Sequence, residues 1–271
     1  MTLKTPLGSS HTAYEVHGPA DAEPIILIHG LGLCRAMWQP FIDALAGPFR
    51  VIAHDLFGHG ESGPAPEQPS LDLFARQVTG VMDAAGVDCA HIIGFSIGGM
   101  INRRLVMDHP HRCLSLVIMN SPHDRGDKGQ EMVENRASKV AAEGKMATLP
   151  DALIRWFTPG FRAASPETLD QVRQWREETD DESYAGTAWV LAHGVRELKA
   201  PEPPINRPML VMTGAGDTGS TPGMAAMIAA ETGAAEQLII PEHQHLGVME
   251  EPALYTAPIL NFLNRLSGKG S

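Results

Sequence analysis

The chain has 271 residues, 43% of them hydrophobic and 20% charged, with a formal net charge of −11. That length suits one α/β core carrying an insertion, and the composition is that of an ordinary globular protein. The acidity argues against nucleic acid, whose phosphates need clustered Lys and Arg, and no apolar run approaches the roughly 18 residues of a membrane span.

In chain order, the segments around Tyr14 are read as an antiparallel edge. "PIILIHG" at 24–30 is continuous and β-branched, as expected of a strand buried on both faces. A helical pattern covers 34–47, and "RVIAHD" within 49–60 gives the next strand. Helix is expected over 70–86, strand over "CAHIIGFS" (89–96), helix over 97–109 and strand over "CLSLVIMNSP" (113–122). The alternation then stops. It resumes after the Pro-rich "PEPPINRP" (201–208) with strands at 207–217 and 235–242 and helices at 222–232 and 253–266. The interval between is rich in Arg, Glu and Trp and reads as helical. The expected fold class is therefore α/β: a mostly parallel central sheet with helices on both faces. Its core spans 1–121 and 205–271, with 122–204 as a helical cap.

One serine stands out. Residues 94–98 fit G-x-S-x-G, with Ser96 between Gly94 and Gly98, a strand before and a helix after. Glycine on both sides admits a turn too tight for side chains, and such a turn lifts the hydroxyl above the C-terminal edge of the sheet. A serine hydroxyl is a weak nucleophile and needs a base, which in turn needs a carboxylate to orient it. In this architecture the acid follows the serine and the histidine comes last. Asp217, in "GAGDTG" just past a C-terminal strand, is the expected acid, with Glu242 as fallback. Two histidines compete one strand later, His243 and His245; His245 lies further from the strand end and is preferred. The helix N-terminus at Ile97 and the loop "HGLG" (29–32) offer the amides of Ile97 and Leu31 as oxyanion donors, with His29 bracing the loop.

With these residues in place the chain resembles the α/β-hydrolase superfamily over nearly its whole length. The resemblance rests on "HGLG" (29–32), "DLFGHGES" (55–62), "GFSIGG" (94–99), "GAGD" (214–217) and "HLGVMEEP" (245–252). It implies that Asp55 and Ser62 brace a backbone turn and supports His245 over His243. The usual Gly before that histidine is Gln244 here. Within the cap, "NRASKVAAEG" (135–144), "RWFTPGF" (155–161) and "YAG" (184–186) resemble the 3-oxoadipate enol-lactonase group, which opens a small lactone bearing a carboxylate. Arg136 falls where that group carries an Arg. Val133 replaces its frequent Trp, and Ala192, His193 and Val195 replace a charged stretch. A serine nucleophile separates the chain from dehalogenase, epoxide hydrolase and dienelactone hydrolase relatives.

The expected activity is hydrolysis of a small carboxylic ester or lactone through Ser96, His245 and Asp217. C–C bond or amide hydrolysis on the same triad is the alternative, as is a ligand receptor on a hydrolase scaffold. Arg136, Trp156 and Trp189 are the candidate substrate contacts, while Arg155 and Arg162 read as surface charges or helix pairs. No metal is expected, since the H-x-H pairs at 109/111 and 243/245 lack further ligands, and no cofactor, since the Gly-rich loops lack nucleotide context. Cys34, Cys89 and Cys113 are scattered and odd in number, which favours reduced thiols and a cytoplasmic setting. No signal peptide is apparent, disorder is expected only in 267–271, and a homo-oligomer is compatible with the sequence.

Overall fold

The computed structural model describes residues 1–232 and 235–268. Eight strands form one sheet: β1 (Leu3–Leu7), β2 (Ser10–His17), β3 (Pro24–Ile28), β4 (Arg50–His54), β5 (Ala90–Phe95), β6 (Cys113–Met119), β7 (Met209–Gly214) and β8 (Ala235–Ile240). Their spatial order is β1-β2-β4-β3-β5-β6-β7-β8. The first two strands pair antiparallel, β2 meets β4 antiparallel, and every later pairing is parallel. The expected antiparallel edge is therefore present.

The apolar runs of the inner strands are explained by the layers on both faces. Alternate residues of one strand point to opposite sides. Ile26, Ile28, Ile92 and Ile118 join one core cluster with α2 (Leu71–Ala84) and α3 (Ile97–Asp108), after α1 (Gln39–Leu45) on the other face. Ile25, Leu27, Ile93 and Val117 join the second cluster with α1 and the C-terminal helix Ala253–Leu266. The pattern expected over 34–47 is a 3-10 turn, Arg35–Trp38, running into α1. Ser70 starts α2 as its N-cap, its hydroxyl accepting from the Leu73 amide at 3.0 Å.

Between β6 and β7 lie five helices: α4 (Gly126–Glu143), α5 (Leu149–Trp156), α6 (Pro159–Ala164), α7 (Pro166–Glu178) and α8 (Asp181–His193). No strand interrupts them among the described residues. The chain then completes the sheet with β7 and β8 and adds α9 (Pro222–Ala230), α10 (Gly247–Glu250) and α11 (Ala253–Leu266). None of the described helices is long and apolar enough to cross a membrane. The sequence expectation of disorder at 267–271 falls largely on 269–271, which lie outside the described residues.

Where this helical segment leaves and rejoins the sheet, a buried ion cluster ties the two passages together. Arg103 on α3 donates to Glu231 at 2.6 Å and to the Leu198 carbonyl at 3.0 Å. His123, just past β6, donates to the other Glu231 oxygen at 2.7 Å. Burial pushes the Glu231 carboxyl up, but the His123 hydrogen bond and the Arg103 charge outweigh it and hold it below the usual glutamate range. Glu231→Gln leaves the fully buried Arg103 charge without its counterion, and is expected to cost about 3 kcal/mol of unfolding free energy in urea titrations. Because the folded carboxyl is the stronger acid, its stabilisation is present above the unfolded pKa of about 4.3 and is lost as pH falls through the lower folded value. The variant should lack that part of the acid slope.

Candidate active site

The strand order reverses around β3. The chain steps outward to β4 and then returns past β3 to β5, so the C-terminal ends of β3 and β5 flank a topological switch point, where open α/β sheets bind ligands. Ser96 sits there, the single residue between β5 and α3, with φ 58° and ψ −116°. A non-glycine residue at such a φ is strained by on the order of 1–3 kcal/mol. The turn is held by the Ser96 amide donating to the Met119 carbonyl at 2.8 Å and the Gly99 amide donating to the Ser96 carbonyl at 3.0 Å. The flanking glycines are required by contact. A Cβ on Gly94 would stand 2.1 Å from the Gly98 carbonyl oxygen, and one on Gly98 would stand 2.2 Å from that of Ile28.

Two later strand ends bring the partners. His245, in the loop after β8, faces Ser96: its Nε2 accepts from the Ser96 hydroxyl at 3.2 Å. Its Nδ1–H donates to Asp217 Oδ2 at 2.7 Å, and Asp217 lies in the loop after β7. All three residues named from the sequence are thus brought into one hydrogen-bonded line, and all are buried. The Asp217 carboxylate also accepts from the amides of Gly219 and Ser220 at 2.8 and 2.9 Å and from Asn120 Nδ2 at 2.9 Å. Burial pushes its carboxyl up, but His245, Asn120 and the Ser220 amide together hold it below the ordinary aspartate value. It is a carboxylate at neutral pH.

Asn120 is a participant that sequence reasoning missed. It follows β6 with φ 48°, its amide bonded to the Met212 carbonyl at 2.8 Å. Asn is among the few residues that enter the left-handed region readily, and an Asn at a strand end was the available signal. The competing residues find other places. His243 donates from Nδ1 to the Pro241 carbonyl at 2.7 Å and braces its own loop, and Glu242 is exposed.

The oxyanion candidates are also placed by loops. Among the described residues, the amides of Leu31 and Ile97 have no hydrogen-bond partner in the protein. The Leu31 loop is held by two buried imidazoles. His29 donates to the Gly30 carbonyl at 2.8 Å and accepts from the Leu56 amide at 2.9 Å. His59 donates to the Phe57 carbonyl at 2.9 Å and accepts from the Gly32 amide at 3.1 Å. Burial lowers both pKa values to about 3, so each ring stays neutral and keeps an acceptor nitrogen for these amides. Asp55 and Ser62 join the same brace: Ser62 Oγ donates to the Asp55 carbonyl at 2.7 Å, and the Asp55 carboxylate accepts from the Arg35 amide at 2.7 Å.

Ser96, Asp217 and His245 open into a cavity of about 610 Å³ between the sheet edge and the helices of 126–193. Trp156 lines it, its ring 6.1 Å from that of His245, and its carbonyl accepts from the Leu246 amide at 2.8 Å. Arg136 lines it as well. Trp189 does not: it is 51% exposed, stacked on His193 at 3.7 Å, and faces away from the cavity. Helical spacing placed it on α8 but could not orient it, and Tyr184 and Ala188 present the inward face of that helix instead. Arg155 corrects the expectation of a surface charge or helix pair, because it lines the cavity. So do Arg125 and Arg176, which the sequence did not single out. Burial depresses the pKa of all four guanidinium groups, that of Arg125 to about 10, and each of Arg125 and Arg136 is lowered further by a neighbouring arginine. No group of metal-binding type is found among the described residues.

Comparison with known proteins accords with this geometry. The family model described as alpha/beta hydrolase fold matches residues 23–252. A 3-oxoadipate enol-lactonase of Acinetobacter baylyi is 26% identical over 94% of this chain and 93% of its own. A protein of Azorhizobium caulinodans named for carbamate hydrolysis is 41% identical, over 55% of this chain and 53% of its own. The crystal structure of the enol-lactonase from Burkholderia xenovorans LB400 superposes with a TM-score of 0.87 at 26% identity, covering 97% of this chain and 100% of that one. With a serine on the strained turn after the fifth strand, an acid and a histidine on the loops after the seventh and eighth, and a family match over most of its length, this chain belongs to the α/β-hydrolase fold family.

Proposed function

We propose that the protein hydrolyses a small carboxylic ester or lactone through an acyl-enzyme on Ser96. The observation that carries this is the unbroken line Ser96 Oγ, His245 Nε2, His245 Nδ1, Asp217 Oδ2 at the floor of a cavity sized for a small molecule. His245 takes the hydroxyl proton as Oγ attacks the carbonyl carbon. The negative charge that develops on the carbonyl oxygen falls to the free amides of Leu31 and Ile97, the latter at the N-terminus of α3. His245 then protonates the leaving alkoxide, which in a lactone stays tethered to the acyl chain. A water, deprotonated by the same imidazole, attacks the acyl-enzyme and releases the acid. Asp217 holds the ring with Nδ1 protonated and stabilises the imidazolium. Arg136 and Trp156 contact the substrate from the cavity wall.

The similarity to enol-lactonases supports the ester and lactone reading. The partial similarity to the carbamate-named protein keeps amide-type hydrolysis as a second reading. A fluorophosphonate probe should add one label to the intact protein, mapped to Ser96. Aryl esters and five-membered lactones should turn over well ahead of matched anilides. Faster cleavage of the anilides would favour the second reading, and labelling with no turnover of any substrate would make the protein a receptor.

A further inference from the structure

The wall of the cavity carries more positive charge than ester hydrolysis requires. Arg125, Arg136, Arg155 and Arg176 all line it, in a chain whose net charge is −11. Two carboxylates line it too, and both are engaged. Asp217 is bound to His245 and Asn120, and Asp124 is paired with Lys199. Arg125 donates to the Leu191 carbonyl at 2.9 Å, and Arg176 donates to Thr148 Oγ1 and lies 4.7 Å from the centre of the Tyr184 ring. Those neutral partners position the two groups without cancelling their charge. Arg136 and Arg155 have no hydrogen-bond or ion-pair partner among the described residues. Asp151 acts on both through space, yet it is exposed and forms an ion pair with neither.

Both side chains are partly buried in the cavity, and two unpartnered guanidinium groups in one cavity repel each other. One ligand carboxylate meets one such fork through two parallel hydrogen bonds, which leaves the other unanswered. The arginines follow one another along the wall. Arg155 is the arginine that feels the charge of Asp217, so it lies toward the triad, and Arg136 stands next, coupled to Arg155 on one side and to Arg125, at the start of α4, on the other. Val133, Val140, Met224 and Met227 give the wall an apolar stretch that suits a short hydrocarbon frame.

Building on the hydrolase reading, we propose that the natural substrate carries two acid groups besides the bond that Ser96 attacks, one held at Arg155 beside the triad and the other at Arg136 with Arg125 behind it. The cavity is then an anion clamp, and the ester or lactone carbonyl is positioned by two charged ends instead of one.

The test measures binding apart from turnover. Ser96→Ala protein is titrated calorimetrically with butyrate, glutarate, adipate and propane-1,2,3-tricarboxylate. The diacid that fits better should bind about tenfold or more tighter than butyrate, and the triacid at least as tightly, with affinity falling as salt is raised. Adding Arg136→Gln or Arg155→Gln to that protein should bring the diacid-to-butyrate ratio close to one. Arg155→Lys, which keeps the charge and loses the fork, should retain part of it. Unchanged melting temperatures would show that the variants fold. Diacids binding no tighter than butyrate, or a ratio untouched by both arginine changes, would overturn the clamp. Failure of wild-type protein to cleave any ester would instead overturn the hydrolase reading, and the two failures are separately visible.

Discussion

Ser96→Ala is expected to lower kcat/KM on any ester substrate by about 10⁴-fold or more. The size of the effect follows from the geometry. His245 Nε2 reaches the Ser96 hydroxyl at 3.2 Å, and its other nitrogen is committed to Asp217, so no second hydroxyl shares the base. Ser220 and Thr221 also line the cavity, but neither is bonded to an imidazole, and a hydroxyl without a base is a poor nucleophile at neutral pH. The loss should be confined to chemistry. Alanine can occupy the same positive-φ turn, whose two backbone hydrogen bonds do not involve Oγ, so melting temperature and ligand binding should change little. Initial rates on an aryl ester, with an intact-mass check for the acyl adduct, decide it. A residual rate within tenfold of wild type would remove Ser96 from the mechanism.

Asp217→Asn is expected to be almost as severe, at about 10⁴-fold in kcat with KM little changed. Every polar neighbour of this carboxylate is a donor. Oδ1 receives the amides of Gly219 and Ser220, and Oδ2 receives Asn120 Nδ2 and His245 Nδ1. An asparagine must place its NH₂ against one of those pairs. The two backbone amides cannot move without unfolding the loop, so the NH₂ faces the imidazole. Nδ1 must then become the acceptor, and the ring proton passes to Nε2, the nitrogen that should take the proton from Ser96. The variant therefore carries the imidazole in the wrong tautomer in an intact site. Steady-state kinetics together with fluorophosphonate labelling rates should show both reactions slowed in parallel. Fast labelling with slow turnover would place the role of Asp217 after acylation instead.

Both expectations concern groups that could be named from the sequence, and the reason is local. A strand buried on both faces must be continuously apolar, so "PIILI" and "AHIIGF" announce their own layer. The turn at Ser96 needs glycine at two fixed offsets because a Cβ there would strike backbone two or more residues away, and that requirement is written into neighbouring positions. Chain order then assigns the acid and the histidine, since each follows a recognisable strand. The fold class, the edge pairing and the candidates for the triad were legible on these grounds.

What only the tertiary structure decided is which way the side chains of the helical segment face. Trp189 and Tyr184 lie on one helix, yet the tryptophan is half exposed and the tyrosine buried against Arg176. Arg155 resembled any surface charge on an amphipathic helix until α5 was seated over the loop of His245, where it turned into the cavity. Arg125 and Asn120 acquire their meaning from partners far along the chain, the Leu191 carbonyl in one case and Asp217 in the other. A strand's burial and a turn's strain are set by adjacent residues, so the sequence by itself determined the scaffold and the candidates for the reacting groups. The charge of the cavity depends on how separate helices pack across the sheet edge, and that information is absent from any one stretch of the chain.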